Sequence, residues 1–363
     1  MIDSKRVLMT NNEETIEKKE VAKEIVEDIN NTLVFKGNTG EYFKIWIVNI
    51  ILSILTIGIY SAWAKVRNNR YFYANTVYKN SPFEYLADPI KILKGRIIVV
   101  VFYVVFYMFT EIIPNLMVAG ALLLIFLVFF PWLINRAIIF KLRYSAYRNI
   151  SFKYNTGAKP FYIFFLINVP LFIITFGLAF PYIYNKFKKL FISNSSFGVT
   201  AFNFDGKNSK IYKIFLLSFL VLGIIPIIFF SLGFLGIVFS AQNTIIIFAV
   251  MMLLLLLLNF LAKGVFDALM ANYVWSKTTL NKTTFECKWN IKTLAWIYLS
   301  NFLVIVLSFG LLIPWAKIRL MRYKIENFSI ITSEIDDFIA TQKKDRESLG
   351  EEVSDFFDID IGV

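Results

Sequence analysis

The sequence predicts an all-α polytopic membrane protein whose internal repeats run unit, hairpin, unit, hairpin, unit, with short cytoplasmic β-hairpins between them. Three observations predict it. The first is composition: 57% of the 363 residues are apolar, 18% are aromatic and the mean hydropathy is +0.61, well beyond a soluble domain. The second is a set of seven hydrophobic segments, near 43–62, 96–113, 116–135, 161–183, 212–240, 244–264 and 292–315. Nearly charge-free runs among them suit a hydrocarbon core about 30 Å thick, which needs roughly 20 residues of helix. The third is that the first, fourth and seventh segments repeat one pattern, so the unit is what needs explaining.

The pattern is an Asn, a hydroxyl seven residues on, a Gly two after that, then a ring and two cations. It reads Asn49, Thr56, Gly58, Trp63, Arg67, Arg70; then Asn168, Thr175, Gly177, Tyr182, Lys186, Lys189; then Asn301, Ser308, Gly310, Trp315, Arg319, Arg322. No gap is needed to align the copies. The units lie near 43–78, 161–195 and 292–328, and the helical hairpins near 96–135 and 212–264, with turns near Glu111–Asn115 and Ala241–Asn243. Each unit is expected to be helix, break at Gly, helix. Pro181 and Pro314 follow the Gly by four residues and add to the disruption. Between helices, segments such as 81–86, 149–155, 196–205 and 283–290 alternate aromatic and polar residues between turn formers, the signature of short strands.

The formal charge of +12 hides a division. The tail 1–34 carries five basic and eight acidic residues and the tail 334–363 three basic and ten acidic, leaving +22 on the membrane domain, 35–333. Both tails read as charged, soluble and flexible, with 13–28 able to form a helix. In a membrane chain such cations mark the cytoplasmic side rather than a nucleic-acid partner. Every connection except the two hairpin turns is basic. If all seven segments crossed, basic loops would alternate between sides, against the positive-inside rule. If only the four hairpin helices cross, and the three units re-enter, all basic stretches and both termini become cytoplasmic.

On a helix Trp63, Arg67 and Arg70 share one face, as do Tyr182, Lys186, Lys189 and Trp315, Arg319, Arg322. Such a face fits an anionic lipid headgroup, and equally an aromatic belt with snorkelling cations. Asn49, Thr56, Asn168, Thr175, Asn301 and Ser308 form an intramembrane polar stripe, read first as helix–helix glue and second as a pathway lining. Gly58, Gly177 and Gly310 are the helix breaks. With no His and one Cys, Cys287, imidazole–metal sites and internal disulfides are excluded. Glu41, Glu111 and Asp267 sit near segment ends, and the lack of a mid-membrane carboxylate argues against proton coupling. No catalytic, cofactor or metal motif is present, so no enzyme is expected. No apolar leader precedes the first segment, so that segment is expected to serve as its own insertion signal.

The run FKGNTGEYFKIWIVNIILSILTIGIYSAWAKVRNNRYFYANT over 35–76, continued by FEYLADPIKILKGR over 83–96 and by PWAKIRLMRY over 314–323, resembles the YjgN-like family of bacterial inner-membrane proteins. The resemblance covers about 35–330 and implies a bacterial inner-membrane location; it brings no activity. The second copy departs from the pattern, with Tyr182 for Trp and Ile183, Tyr184, Asn185 for the Ala-Lys-Val step. The expected function is channel- or transporter-like. The alternative is a non-enzymatic membrane-organising protein that binds anionic phospholipid through its aromatic/basic faces. A homo-oligomer stays open.

Overall fold

The computed structural model describes residues 32–235 and 241–332. The tails expected at 1–34 and 334–363, their 13–28 helix included, lie outside the described residues apart from 32–34. The expected turn near Ala241–Asn243 is met by a helix that starts at Ala241.

The chain is not all-α. Among the described residues ten short strands form one antiparallel sheet, each strand beside its sequence neighbours. These are β1 (Val34–Phe35), β2 (Thr76–Tyr78), β3 (Ser81–Tyr85), β4 (Ser145–Tyr147), β5 (Ile150–Tyr154), β6 (Ser195–Phe197), β7 (Thr200–Phe204), β8 (Thr278–Leu280), β9 (Thr283–Cys287) and β10 (Phe328–Ile331). The alternating segments predicted local hairpins. Pairing across each helical excursion joins those hairpins into one sheet, a long-range event that no window of sequence displays. Four two-residue turns link the hairpins. Lys79, Asn80, Arg148 and Asn149 all have positive φ, the paired left-handed geometry that matches strand twist.

The sheet closes on itself. The Leu33 N–H donates to the Phe328 carbonyl at 3.1 Å, and Thr32 bridges Ser329. One apolar cluster then draws a residue from every strand: Phe35, Tyr78, Phe83, Tyr147, Ile150, Phe197, Phe202, Leu280, Phe285 and Phe328. In a closed ring such a cluster is the lumen. Its rings are in contact, with Phe83 and Tyr147 centroids 4.8 Å apart and Phe152 and Phe197 5.0 Å apart. The Tyr147 hydroxyl donates to the Tyr78 carbonyl at 2.8 Å and the Tyr78 hydroxyl to the Ile330 carbonyl at 3.2 Å, so these two phenols find partners inside.

Five times the chain leaves the ring through two helices and returns to the neighbouring strand. The pairs are α1 (Thr39–Leu55) with α2 (Ser61–Ala74), α3 (Pro89–Tyr107) with α4 (Leu116–Arg143), and α5 (Lys159–Ile174) with α6 (Phe180–Ser193). They continue with α7 (Asn208–Leu235) and α8 (Ala241–Ser276), and end with α9 (Ile291–Leu307) and α10 (Ile313–Glu326). Because strands alternate in direction, all five excursions leave from one rim and all four tight turns lie on the other. Thr32 and Thr332 also end on the tight-turn rim. Neighbouring helix pairs pack against each other, and α10 packs against α1, closing a second ring.

Among the described residues, three helical stretches are long and apolar enough to cross a membrane: Pro89–Ile112, Leu116–Arg143 and Met252–Ser276. The first ends in a π turn, Met108–Ile112, before Asn115 caps α4 by accepting from the Val118 N–H at 3.2 Å. The helices run past the hydrophobic segments toward the sheet, since hydropathy marks only their apolar lengths. Pro181 and Pro314 do not disrupt these helices. They occupy the first turns of α6 and α10, where the missing N–H has no intrahelical partner to lose.

Candidate functional site

The three short excursions share a turn at their tips. α1 stops at Leu55, and Ile57 and Gly58 take φ of 49° and 87°. Phe176 and Gly177, and Phe309 and Gly310, repeat this with 49° and 83°, and 51° and 86°. A left-handed Gly is inexpensive, but a β-branched Ile or an aromatic there is strained. Hydrogen bonding compensates. The Gly58 N–H donates to Ser53 O at 2.7 Å, that of Gly177 to Phe172 O at 2.8 Å and that of Gly310 to Ile305 O at 2.8 Å.

The recurring hydroxyl completes the set. Thr56 Oγ1 donates to Leu52 O at 2.7 Å and accepts from the Tyr60 N–H at 2.9 Å. Thr175 does the same with Leu171 O and the Ala179 N–H, and Ser308 with Ile305 O and the Leu312 N–H. Every amide from 56 to 61, 175 to 180 and 308 to 313 thus has an acceptor. The exposed apolar residues Ile57, Phe176 and Phe309 crown the tips, at 95%, 96% and 97% exposure. Thr56, Thr175 and Ser308 therefore cap backbone within the turn.

Asn49, Asn168 and Asn301 are buried between the legs of their hairpins. Asn49 Nδ2 donates to Asn68 Oδ1 at 3.1 Å across α1 and α2, and Asn301 Nδ2 to Ala316 O at 3.0 Å across α9 and α10. Asn168 turns back on its own helix, donating to Phe164 O at 2.6 Å. None of the six stripe residues lines either of the two cavities described below.

The aromatic/basic faces divide in two. The outermost cations are partly spent on the ring: Arg70 donates to Ala87 O at 3.2 Å and Arg322 to Gly37 O at 3.0 Å. In both cases the second helix of a short hairpin holds the loop that leads into the next excursion. Asn185 does the equivalent in the third pair, donating to Gly206 O at 2.9 Å, while Lys189 stays exposed. The inner cations stay near their rings, with Lys186 5.7 Å from the Tyr182 centroid and Arg319 5.1 Å from Trp315. Arg319 also donates to Ser300 Oγ at 2.8 Å. Arg67 is exposed, and its neighbour Trp63 stacks on Tyr60. In the third copy Trp315, Arg319 and Arg322 line a cavity of about 330 Å³ with Thr39.

A larger cavity, about 660 Å³, lies where the hairpins meet the sheet. Phe83, Phe152 and Phe202 of the ring form its floor, and α2, α4, α6, α8 and α10 its sides. Its charged groups come from different excursions: Lys141, Lys188, Lys324 and Asp267. Lys324 Nζ stands 3.5 Å from Asp267 Oδ2 and 4.9 Å from the Trp289 centroid. Burial lowers the Lys324 ammonium pKa, and Asp267 partly restores it. Burial likewise lowers Lys188, and the nearby Lys141 charge adds to it. The grouping of these four residues escaped sequence reasoning, which noted Asp267 only as a carboxylate near a segment end. Lys188 sits unmarked between Lys186 and Lys189, and only ring closure brings the four together. Among the described residues no three His, Cys, Asp or Glu side chains gather as metal ligands.

Comparison with known proteins follows this geometry. Over 76 residues the chain is 42% identical to the inner membrane protein YjgN of Salmonella typhimurium, covering 21% of this chain and 19% of that one. Over 136 residues it is 28% identical to the YjgN protein of Escherichia coli strain K12, covering 36% and 33%. The alignments therefore span well under half of these relatives' length. No solved structure matches. Residues 30–356 match the family described as bacterial protein of unknown function (DUF898), and the chain belongs to that YjgN-like family of membrane proteins.

Proposed function

We propose that the protein is a multi-pass protein of the bacterial inner membrane, with both termini cytoplasmic. It holds anionic phospholipid, without catalysis, on aromatic/basic faces at headgroup depth. The tip turn carries this reading. Irregular backbone in hydrocarbon needs every amide satisfied, and these turns meet that demand while exposing Ile57, Phe176 and Phe309.

Lengths agree. The apolar part of α1, 45–55, is about 16 Å long, half of a core of roughly 30 Å. With the tip near mid-bilayer, Arg67 lies about 9 Å and Arg70 about 14 Å up α2 toward the sheet, within snorkelling reach of phosphates. Basic helix ends at the sheet rim then face the cytoplasm.

Single cysteines at Ser81, Asn115 and Ser209 in a Cys287→Ser background test the placement. Ser81 and Ser209 should label from the cytoplasm and Asn115 from the periplasm. Periplasmic labelling at Ser81 or Ser209 would overturn it. Substituting Arg67, Lys186 and Arg319 by Gln should lower phosphatidylglycerol retention in detergent. A channel- or transporter-like role has one observation in its favour, broken helices around a central cavity. The aromatic filling of the ring opposes an axial water path. Flux into proteoliposomes that depends on Asn49, Thr56 and Asn301 would favour that role instead.

A further inference from the structure

We propose that the 660 Å³ chamber is a separate internal site for one anionic amphiphile, with its phosphate at Lys141 and Lys188 and its chain along the apolar wall. The inference rests on the membrane placement above, which sets the sheet-side helix ends at headgroup depth. It needs no contribution from the outer aromatic/basic faces.

Charge bookkeeping within the chamber points to an anion. Three ammonium groups line it against one carboxylate, Asp267. That carboxylate is already engaged: Tyr298 donates its hydroxyl proton to Oδ2, and Lys324 and Lys263 stand 3.5 and 3.6 Å away. Lys141 and Lys188 have no carboxylate within ion-pair distance among the described residues. Lys188 Nζ stands 5.3 Å from the centroid of Tyr184, one turn back on the same helix. Lys188 is half-buried beside the charge of the more exposed Lys141, and two neighbouring like charges without a counter-ion are costly in the chamber. A phosphate among them removes that cost, because its oxygens can accept from amines arriving on different helices.

The wall identifies the rest of the ligand. Phe191, Met270 and Val274 face the chamber, the last two almost fully buried, and the ring aromatics close its floor. A volume within the ~300–1,000 Å³ of small-molecule sites, mostly apolar with a few convergent polar groups, suits a chain-bearing anion. A free phosphate would leave this wall uncovered. The two amines come from α4 and α6, in different excursions, so a ligand bound there ties neighbouring hairpins together.

The test uses the full chain in neutral detergent, with binding read by native mass spectrometry. The probes are phosphatidylglycerol, dodecyl phosphate and inorganic phosphate. One molecule of either amphiphile should bind, and inorganic phosphate at least about tenfold more weakly. Lys141→Met with Lys188→Met should weaken amphiphile binding by about tenfold or more, yet raise the melting temperature of lipid-free protein. Lys188→Arg should retain binding. Ala271→Phe, which fills the chamber and leaves every charge in place, should lower it. The outer-face set, Arg67→Gln, Lys186→Gln and Arg319→Gln, should leave this tightly held molecule in place. Unchanged amphiphile binding in the double variant or in Ala271→Phe overturns the inference while leaving the outer-face reading intact. Equal binding of inorganic phosphate and dodecyl phosphate overturns the amphiphile assignment. Loss in the outer-face set alone supports the outer faces and sinks the chamber.

Discussion

Replacing Thr56 by Val removes one oxygen from a tip turn and keeps the branched shape of the side chain. That oxygen accepts from the Tyr60 N–H at 2.9 Å and donates to Leu52 O at 2.7 Å. Leu52 O keeps the Thr56 amide at 3.0 Å, so the lasting loss is the acceptor for Tyr60. An unsatisfied buried donor costs about 1–3 kcal/mol, and water cannot make up the loss inside a bilayer. Taking about 2 kcal/mol, the folded-to-unfolded ratio falls roughly 30-fold, and the melting temperature by about 3 °C for a chain of this size. Thermal unfolding in nanodiscs, followed by size-exclusion chromatography, reads the shift. Thr56→Ser keeps the oxygen and should stay within about 1 °C of the parent. In detergent, where water reaches the turn, the Val penalty should shrink. Equal melting temperatures for the Val and Ser variants in nanodiscs would refute the argument that the hydroxyl serves a lipid-immersed amide.

Other substitutions test the rest of the frame. Gly310→Ala forces a Cβ into φ 86° and should cost about 1–2 kcal/mol, whereas Gly120→Ala, in open surroundings within α4, should gain about 0.5–1 kcal/mol; paired melting curves compare them. Gly264→Val places a side chain against the Ala295 backbone, where α8 meets α9. A loss of about 1–3 kcal/mol is expected, with a change of elution volume reporting any collapse of the pair. Burial pushes the Cys287 thiol up to about 12, so maleimide should fail to label it in folded protein at pH 8 and succeed in denaturant. The sign follows from the neutral form being favoured. Its stabilisation is complete below the ordinary thiol pKa of about 8.5 and is lost as pH rises through the folded value. A Cys287→Ala variant should therefore lose less stability between pH 9 and 11 than the parent.

Much of the short hairpin was legible in one dimension because its chemistry is local. The hydroxyl and Gly spacing corresponds to contacts within five residues, such as Thr56 with Tyr60 and Gly58 with Ser53, while Asn49 and Asn301 reach across to the second helix. The roles were harder to read. The hydroxyls looked like members of a membrane stripe but cap their own turn, and Pro181 and Pro314 begin helices. Arg70 and Arg322 read as lipid ligands by periodicity, yet each holds a neighbouring loop that helix periodicity cannot foresee.

By itself the sequence determined the membrane character, the helix–turn–helix copies and the short alternating segments, all set by composition and by interactions a few residues long. Tertiary structure decided that those segments form one closed ring, that its lumen is filled and that four distant charges meet in one chamber. Closure depends on pairs such as Thr32 with Ser329 and Gly37 with Arg322, separated by 297 and 285 residues. Strands of two to five residues bury too little surface to signal such pairing locally. They acquire it only when all ten contribute to the same apolar lumen.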